Sequence, residues 1–237
     1  MPSNGKRYAT AVALMEEEKE YQPAEAMSLV KQTATASFDE TVELHLRTGA
    51  DPRHADQQVR GVTVLPHGVG KQVRIVVFTQ GEAMATAEAA GADHVGNDDL
   101  IKQIEGGWTE FDVSIATPDM MGKIGRLGRI LGRRGLMPNP RTGTVVPPDN
   151  IEKAVSDAKK GRVEYRLDRT ALIHVVIGKS SFEESQLLDN LTALMDTIIR
   201  ARPGGVKGQF VRSAFLTTTM GPSIRLDVAS ISALQVE

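Results

Sequence analysis

The sequence predicts an α+β domain with an antiparallel sheet, split by an inserted α/β domain with a parallel sheet. Strand patterns near the two ends of the chain, Thr41–Arg47 and Val163–Asp168, alternate between apolar and polar residues, which is typical of antiparallel sheets with one wet face. Between them, Val73–Phe78 is almost continuously apolar, and strands alternate with helices. We therefore assign residues 1–67 and 161–237 to the split domain and 68–160 to the insert.

The elements of the split domain follow from residue periodicity and from turn residues. Helices are predicted over 7–20 and from Pro23, whose ring favours a first helical turn. A capping box of Ser181 with Glu184 predicts the start of a long helix after the insert. The predicted strands are 41–47, a segment through Val62 and Val64, 163–167, 171–177, and a final hairpin of 210–216 with 224–228.

The insert alternates strands with helices in the order expected of a parallel layered domain. Predicted strands are 73–78, 94–95 and 112–116, and predicted helices are 82–90, 98–105, one from Pro118 and one over 148–160. The two crossings between domains contain small or turn-forming residues, namely Pro66, Gly68 and Gly161. Such crossings favour hinge motion between domains, and we predict a hinge at these three residues.

Composition indicates a soluble cytoplasmic protein. The 237 residues include no cysteine, so disulfides and thiolate chemistry are excluded and a reducing compartment fits. No apolar run resembles a signal peptide or a membrane span, so no membrane partner is expected. The net charge of −2 hides an asymmetry: residues 69–120 carry three Lys/Arg against nine Asp/Glu, and residues 121–160 carry nine against three.

The basic segment, residues 120–143, separates into three rows on a helical wheel. Met120, Ile124, Leu127 and Leu131 form an apolar row, beside rows of arginine and of glycine. The glycines at 122, 125, 128 and 132 indicate either close approach of another backbone or a weak, mobile helix. The cations either contact phosphate or form a solvated face. The candidate secondary basic contact consists of Lys123, Arg126, Arg129, Arg133, Arg134 and Arg141.

The last hairpin carries an unusual join, Thr217-Thr218-Thr219-Met220-Gly221-Pro222. Hydroxyl groups and bare backbone, with few charges, are the surface that packs against a sugar-phosphate chain. The alternative is a plain Gly-Pro turn in which threonine is present for its β propensity.

An enzyme built on the insert is the competing interpretation, namely a nucleotide-dependent enzyme. A dinucleotide site needs GxGxxG after the first buried strand, but Phe78 is followed by TQGEAM, and the sequence contains no GxxxxGK[ST]. The five histidines show no metal-ligand spacing. We therefore predict no catalytic residue, no cofactor and no metal.

The run MGKIGRLGRILGRRGLMPNPRTGTV at 121–145 resembles the signature of the bacterial ribosomal L-one protein family. Further similar motifs are SFDETVELH at 37–45, DPRHADQQVRG at 51–61, GRVEYRLDRT at 161–170 and TTTMGPS at 217–223. The resemblance therefore covers essentially the whole chain. It implies a split α+β domain that holds an inserted Rossmann-like three-layer α/β domain.

The resemblance also implies a function as a structural RNA-binding protein of the large ribosomal subunit. Members bind a stem junction of large-subunit ribosomal RNA in the mobile stalk, help to release exit-site transfer RNA, and in many cases repress translation of their own messenger RNA. Carried over by motif, the ribosomal-RNA contacts are Phe38, Thr41, Arg166, Asp168, Thr219, Met220, Gly221 and Pro222. Two departures from the family pattern are Ser37, where lysine is common, and Gly132-Arg133-Arg134, where Gly-Pro-Arg is usual, so that Arg133 replaces the proline.

Overall fold

The computed structural model describes residues 5–16 and 18–234. They divide into two units, which are described separately. The split unit combines the residues up to Gly70 with those from Arg162 onward, and the inserted unit is Lys71–Gly161.

In the inserted unit, strands and helices alternate as far as β5, and three α-helices follow. In the split unit, the order of helices and strands is irregular. The split unit begins with α1 (Lys6–Val12), α2 (Pro23–Thr33), β1 (Thr41–Thr48) and β2 (Arg60–Val64). The inserted unit contains β3 (Ile75–Phe78), α3 (Ala83–Ala89), β4 (His94–Gly96), α4 (Asp98–Glu105), β5 (Val113–Ala116), α5 (Met121–Ile124), α6 (Gly128–Leu131) and α7 (Ile151–Lys159). The chain then returns with β6 (Arg162–Arg166), β7 (Leu172–Lys179), α8 (Glu184–Arg200), β8 (Val211–Thr218), β9 (Ile224–Leu226) and α9 (Val228–Ser232).

The main sheet of the split unit has the strand order β7-β1-β8-β9, and all its pairs are antiparallel. Alternate residues of β1, namely Val42, Leu44 and Leu46, are fully buried, whereas the residues between them are partly or fully exposed. Their buried side belongs to a hydrophobic core that includes residues of α2 and α8. On the opposite face β1 is polar, as its alternating sequence predicts, although Val176 and Phe215 of the neighbouring strands lie opposite Glu43 and His45.

A second, two-stranded antiparallel sheet pairs β2 with β6. Gly61 lies opposite Tyr165 in this pair, and a side chain at Gly61 would overlap the tyrosine ring and hydroxyl. Glycine is therefore required here because it leaves room for a buried aromatic side chain on the neighbouring strand.

The inserted unit has a parallel sheet in the order β4-β3-β5. All four residues of β3 are buried, and they alternate between two cores. Val76 and Phe78 pack with α4 and the apolar row of the basic segment, whereas Ile75 and Val77 pack with α3 and α7. Helices on both faces of a parallel sheet form three layers. The predicted fold class is confirmed.

Several predicted elements differ from the structure at their ends. The helix predicted over 7–20 ends at Val12. The capping box of α8 is formed by Glu183 with Gln186, not by Ser181 with Glu184. The strand predicted to reach residue 228 ends at Leu226, because the carboxylate of Asp227 caps α9 by accepting the backbone N–H groups of Ala229 and Ser230. In each case, local hydrogen bonds or a turn place the end of the element at a different residue from the one predicted.

The described parts of the chain hold no helix that combines the length and apolar character needed to cross a membrane.

Candidate nucleic-acid interface

Six of the eight predicted ribosomal-RNA contacts lie at one end of the main sheet, where β1 begins and β8 ends. We call Phe38, Thr41 and Thr219–Pro222 the tip surface. Two hydrogen bonds join its strands: the backbone N–H of Thr219 donates to the carbonyl of Thr41 at 3.1 Å, and the N–H of Thr41 donates to Thr219 Oγ1 at 3.0 Å. The antiparallel register therefore brings together residues that are about 180 positions apart.

Two large apolar side chains of the tip surface are open to solvent. Phe38 is 53% exposed and Met220 is 50% exposed. Burying an apolar side chain normally stabilises a fold, so exposed side chains of this size on adjacent loops mark a surface available to a partner. The alternative that Phe38 is a core residue does not hold in this structure.

Gly221 and Pro222 shape the tip from inside. The φ of Gly221 is not positive, so its backbone conformation does not by itself require glycine. A side chain at Gly221 would overlap the hydroxyl of Thr218 and approach the carbonyl of Thr33. The missing side chain therefore makes room for this chain's own threonine, and Pro222 is buried.

Sequence reasoning missed the cation at this edge. Lys179 pairs with Thr41 across the sheet, and its Nζ donates to Thr41 Oγ1 at 2.8 Å. The adjacent Asp39 carboxylate accepts from Ser180 and from the hydroxyl and backbone N–H of Ser181. Burial opposes ionisation of Asp39, but these donors hold its pKa below the usual value. The polar run Lys179–Ser181 directly after a strand is the sequence signal that could have indicated this cluster.

Arg166 and Asp168 do not join the tip surface. Asp168 precedes β7, whose first residue, Leu172, pairs with Arg47 near the far end of β1. Strands rise by about 3.3 Å per residue, so the two ends of β1 are roughly 23 Å apart. The structure therefore divides the predicted contacts between two places.

Arg166 lines a cavity of about 720 Å³ that we call the arginine groove. Its lining residues are Pro52, Arg53, Gln58, Arg166, Leu167, Asp168 and Arg169. Among the described residues, no carboxylate lies within 4.0 Å of the three guanidinium groups. Three arginines against one aspartate in the lining give the groove an excess of positive charge, which favours an anion, above all a phosphate. Arg53 and Arg169 were missed from the sequence, although both lie in motifs quoted for the family resemblance.

The carboxylate of Asp168 is engaged in its own turn. It accepts from the backbone N–H groups of Thr170 and Leu172 at 2.8 and 2.7 Å and from Thr170 Oγ1 at 2.6 Å. Burial opposes ionisation, but these hydrogen bonds hold the pKa of Asp168 below its usual value. Asp168 therefore fixes the turn through Ala171, which has a φ of 64°.

Two histidines lie on the polar sheet face between the two ends of β1. The Nδ1 atoms of His45 and His174 are 2.7 Å apart, so only one of them carries the shared hydrogen. His45 Nε2 lies 2.9 Å from Thr217 Oγ1. Burial lowers the pKa of His45, and the nearby His174 lowers it further, while Glu43 opposes both effects. The neutral form of His45 is therefore favoured.

The basic segment of the inserted unit is a series of short α and 3₁₀ turns. Its apolar row is fully buried, as predicted. The four glycines of the third row face open space, so none of them serves close approach by another part of the chain that the structure describes. The short, broken helices are consistent with the alternative of a weak helix.

The cations of this segment differ in their partners. Lys123 pairs with Asp98 at 2.9 Å and Arg126 pairs with Glu105 at 3.2 Å, both on α4. Arg134 bonds to the hydroxyl of Thr109. In the described parts of the chain, the guanidinium groups of Arg129, Arg133 and Arg141 have no carboxylate within 4.0 Å, and all three residues are exposed.

The residues predicted as a hinge contain two glycines with positive φ, Gly68 at 69° and Gly161 at 92°. At the first crossing, the buried Asn190 donates to the carbonyl of Gly68 at 3.0 Å and accepts from the N–H of His67 at 3.0 Å. The chain is therefore attached to α8 up to Gly68, downstream of the exposed Pro66. Val69 also packs against the core of the split unit, so the attachment continues past Gly68.

No group of three or more His, Cys, Asp or Glu within the described residues has the arrangement of a metal site.

Comparison with known proteins identifies the family. Residues 30–222 match the model of the Ribosomal protein L1p/L10e family. Among similar curated proteins, three are each named large ribosomal subunit protein uL1. That of Dehalococcoides mccartyi strain BAV1 is 55% identical over 234 residues, 99% of both chains. That of Thermomicrobium roseum is 57% identical over 231 residues, 97% of this chain and 96% of its own. That of Chloroflexus aggregans is 53% identical over 237 residues, all of both chains.

The names of these relatives bear on the competing interpretation as well. They are structural ribosomal proteins rather than enzymes, which confirms the prediction that this chain is not an enzyme. The match extends over both units, including the tip surface and the basic segment. The chain therefore belongs to the bacterial ribosomal L-one protein family.

Proposed function

We propose that this protein is a structural constituent of the large ribosomal subunit and works on the cytoplasmic ribosome. It binds the stalk junction of large-subunit ribosomal RNA through the split domain, residues 1–67 and 161–237. The family membership supports the coarse assignment, and the geometry of the tip surface supports the binding site.

The single observation that carries this proposal is the composition of the tip surface. An exposed phenylalanine and an exposed methionine lie beside threonine hydroxyls and Lys179. Folded RNA is recognised through stacking on splayed bases, hydrogen bonds to 2′-hydroxyls and contacts to phosphate. Phe38 supplies a ring for stacking, Met220 supplies a further apolar contact, Thr219 supplies a hydroxyl and Lys179 supplies a cation for phosphate. Lys179 also offers a cation near the position where Ser37 replaces the usual lysine.

The arginine groove is proposed as a second RNA surface, which holds the predicted ribosomal-RNA contacts Arg166 and Asp168 and also receives exit-site transfer RNA. Its three guanidinium groups suit phosphate oxygens, and it lies at the other end of β1 from the tip surface. Two separate surfaces allow the ribosomal RNA to stay bound while transfer RNA arrives and leaves. The proposed hinge at Pro66, Gly68 and Gly161 would let the inserted domain, residues 68–160, move during this exchange.

Repression of the protein's own messenger RNA is proposed to use the tip surface. A messenger RNA that imitates the stalk junction presents the same shape and hydroxyl groups, so the two RNAs would compete for one site. The basic segment is proposed to add a weaker, nonspecific phosphate contact through its exposed cations.

A binding assay with the purified full chain tests the proposal. Three labelled RNAs are compared at the same salt concentration: a stalk-junction fragment, transfer RNA, and an unrelated duplex of equal length. We expect the stalk fragment to bind at least about a thousandfold more tightly than the duplex, within the range usual for specific recognition. Transfer RNA should still bind when the stalk fragment is already saturating. Equal affinity for the stalk fragment and the duplex would refute the proposal.

A further inference from the structure

Glu40 is an unusual residue for its position, because it is a buried carboxylate beneath an exposed surface. It is 1% exposed, whereas Phe38, two residues earlier, is 53% exposed. A carboxylate is costly to bury unless hydrogen bonds satisfy its oxygens. The partners of Glu40 therefore indicate what the residue does.

The two carboxylate oxygens of Glu40 bond to two different loops. Oε1 accepts the backbone N–H of Ala36 at 2.8 Å, and Oε2 accepts the backbone N–H of Met220 at 2.8 Å. We call this arrangement the Glu40 bridge. It joins the loop that carries Phe38 to the tip that carries Met220, across 180 positions of sequence.

The backbone of Glu40 is held as firmly as its side chain. Its N–H donates to Ser180 Oγ at 3.1 Å, and its carbonyl accepts the N–H of Ser180 at 2.8 Å. The carboxylate therefore projects from a fixed point, so the positions of Ala36 and Met220 are set relative to the end of the sheet. Because the backbone of Glu40 is fixed, the bridge sets the relative positions of the two loops in addition to stabilising them.

The Glu40 bridge stays charged near neutral pH. Burial opposes ionisation, but the N–H groups of Ala36 and Met220 outweigh it and hold the pKa of Glu40 below its usual value. Because the pKa in the folded state is lowered, the bridge stabilises the fold above the unfolded-state pKa. That contribution is lost as the pH falls through the lowered folded-state pKa.

We propose that Glu40 is a positioning residue for RNA recognition, which sets the spacing between Phe38 and Met220. This inference rests on the proposed binding of stalk RNA by the tip surface. Glu40 is too buried to contact RNA itself, and its negative charge would repel phosphate. Any benefit to binding must therefore act through the two loops that it holds.

The test compares Glu40→Gln with Glu43→Gln in the full chain. Each substitution removes one negative charge near the start of β1, so electrostatics alone predicts tighter RNA binding for both. Glutamine keeps the shape of Glu40 but presents an NH₂ group to one of the two N–H donors, so it cannot accept from both. The partly exposed carboxylate of Glu43 lies 3.7 Å from His45 Nε2 and is not part of the Glu40 bridge.

We expect Glu40→Gln to weaken binding of the stalk-junction fragment by about tenfold, and Glu43→Gln to leave it within about threefold of the unchanged protein. The salt dependence should stay the same, because no phosphate contact is removed. In the free protein, amide exchange at Ala36 or at Met220 should become faster in Glu40→Gln alone, because one of the two N–H groups loses its acceptor. A role confined to stability would lower the melting temperature without changing the affinity of the folded fraction.

Two results would overturn the inference while leaving the proposed function intact: equal affinities for the two variants, or unchanged exchange at both Ala36 and Met220. If the unchanged protein fails to distinguish the stalk fragment from an unrelated duplex, the proposed function fails, and the inference fails with it.

Discussion

The tip surface and the arginine groove lie at opposite ends of the same strand, and they use different chemistry. The tip surface combines two exposed apolar side chains with threonine hydroxyls and backbone held by internal hydrogen bonds. The arginine groove combines three guanidinium groups around an open cavity. The first arrangement favours recognition of RNA shape, whereas the second favours any phosphate backbone. Substitutions in the tip surface should therefore alter specificity for one RNA over another, and substitutions in the arginine groove should alter the salt-dependent affinity for phosphate.

The largest expected effect follows from removing both exposed apolar side chains of the tip surface. Phe38→Ala combined with Met220→Ala should weaken stalk-fragment binding by about a hundredfold, because loss of base stacking on Phe38 costs roughly 1–3 kcal/mol and loss of Met220 removes a further apolar contact. Binding of an unrelated duplex should hardly change. Val64→Ala is the control, because Val64 is an exposed apolar residue of the split unit outside the tip surface. Unchanged stalk affinity in the double variant would contradict recognition by this surface.

Substitutions at Gly221 test why glycine is needed at the tip. Either Thr218 of the same chain leaves no room for a side chain, or RNA approaches the backbone closely. Gly221→Ala should destabilise the split unit by about 1–3 kcal/mol through overpacking against Thr218, and RNA binding should weaken with it. The double variant Thr218→Ala with Gly221→Ala removes the overlap, so it should restore both properties. Melting temperature and affinity are measured on one preparation, with Thr218→Ala as control.

A different result for the double variant would change this interpretation. A normal melting temperature with weak RNA binding would mean that the RNA itself needs a bare α-carbon at Gly221. The structure favours the internal explanation, because a side chain there would point at Thr218 and the carbonyl of Thr33.

Neutralising the arginine groove should change salt dependence more than specificity. Replacing Arg53, Arg166 and Arg169 by glutamine should flatten the plot of log affinity for transfer RNA against log salt by ~0.7–0.9 per lost phosphate contact. Preference for the stalk fragment over a duplex should be retained. Arg200→Gln is the control, because Arg200 is exposed but pairs with Asp196 at 2.9 Å. An unchanged salt slope would show that the groove is only solvated.

The smallest effect is expected in the inserted unit. Arg129→Gln with Arg133→Gln should reduce the salt dependence of RNA binding by at most ~1–2 log units per log salt. Lys123→Gln with Arg126→Gln should reduce it less, because these cations pair with Asp98 and Glu105. Equal slopes for the two pairs would mean that the ion pairs open on binding or that the segment does not contact RNA.

The sequence by itself determined the fold class and the family. Side chains alternate between the two faces of a sheet. Alternation at Val42, Leu44 and Leu46 therefore indicates a strand with one face exposed to solvent, whereas the continuous apolar run ending at Phe78 indicates a strand buried on both faces. These are local properties of the chain. The family motifs are equally local, so they can be identified without a structure.

Only the tertiary structure decided how the predicted contacts are grouped. The register of β1 with β7 and β8 separates Arg166 from Thr219, and it brings Lys179 to Thr41. Register depends on pairing between distant segments, which no single stretch of sequence contains. For the same reason, the Glu40 bridge and the overlap between Gly221 and Thr218 could not be predicted. Each depends on atoms that come close only when the sheet has formed.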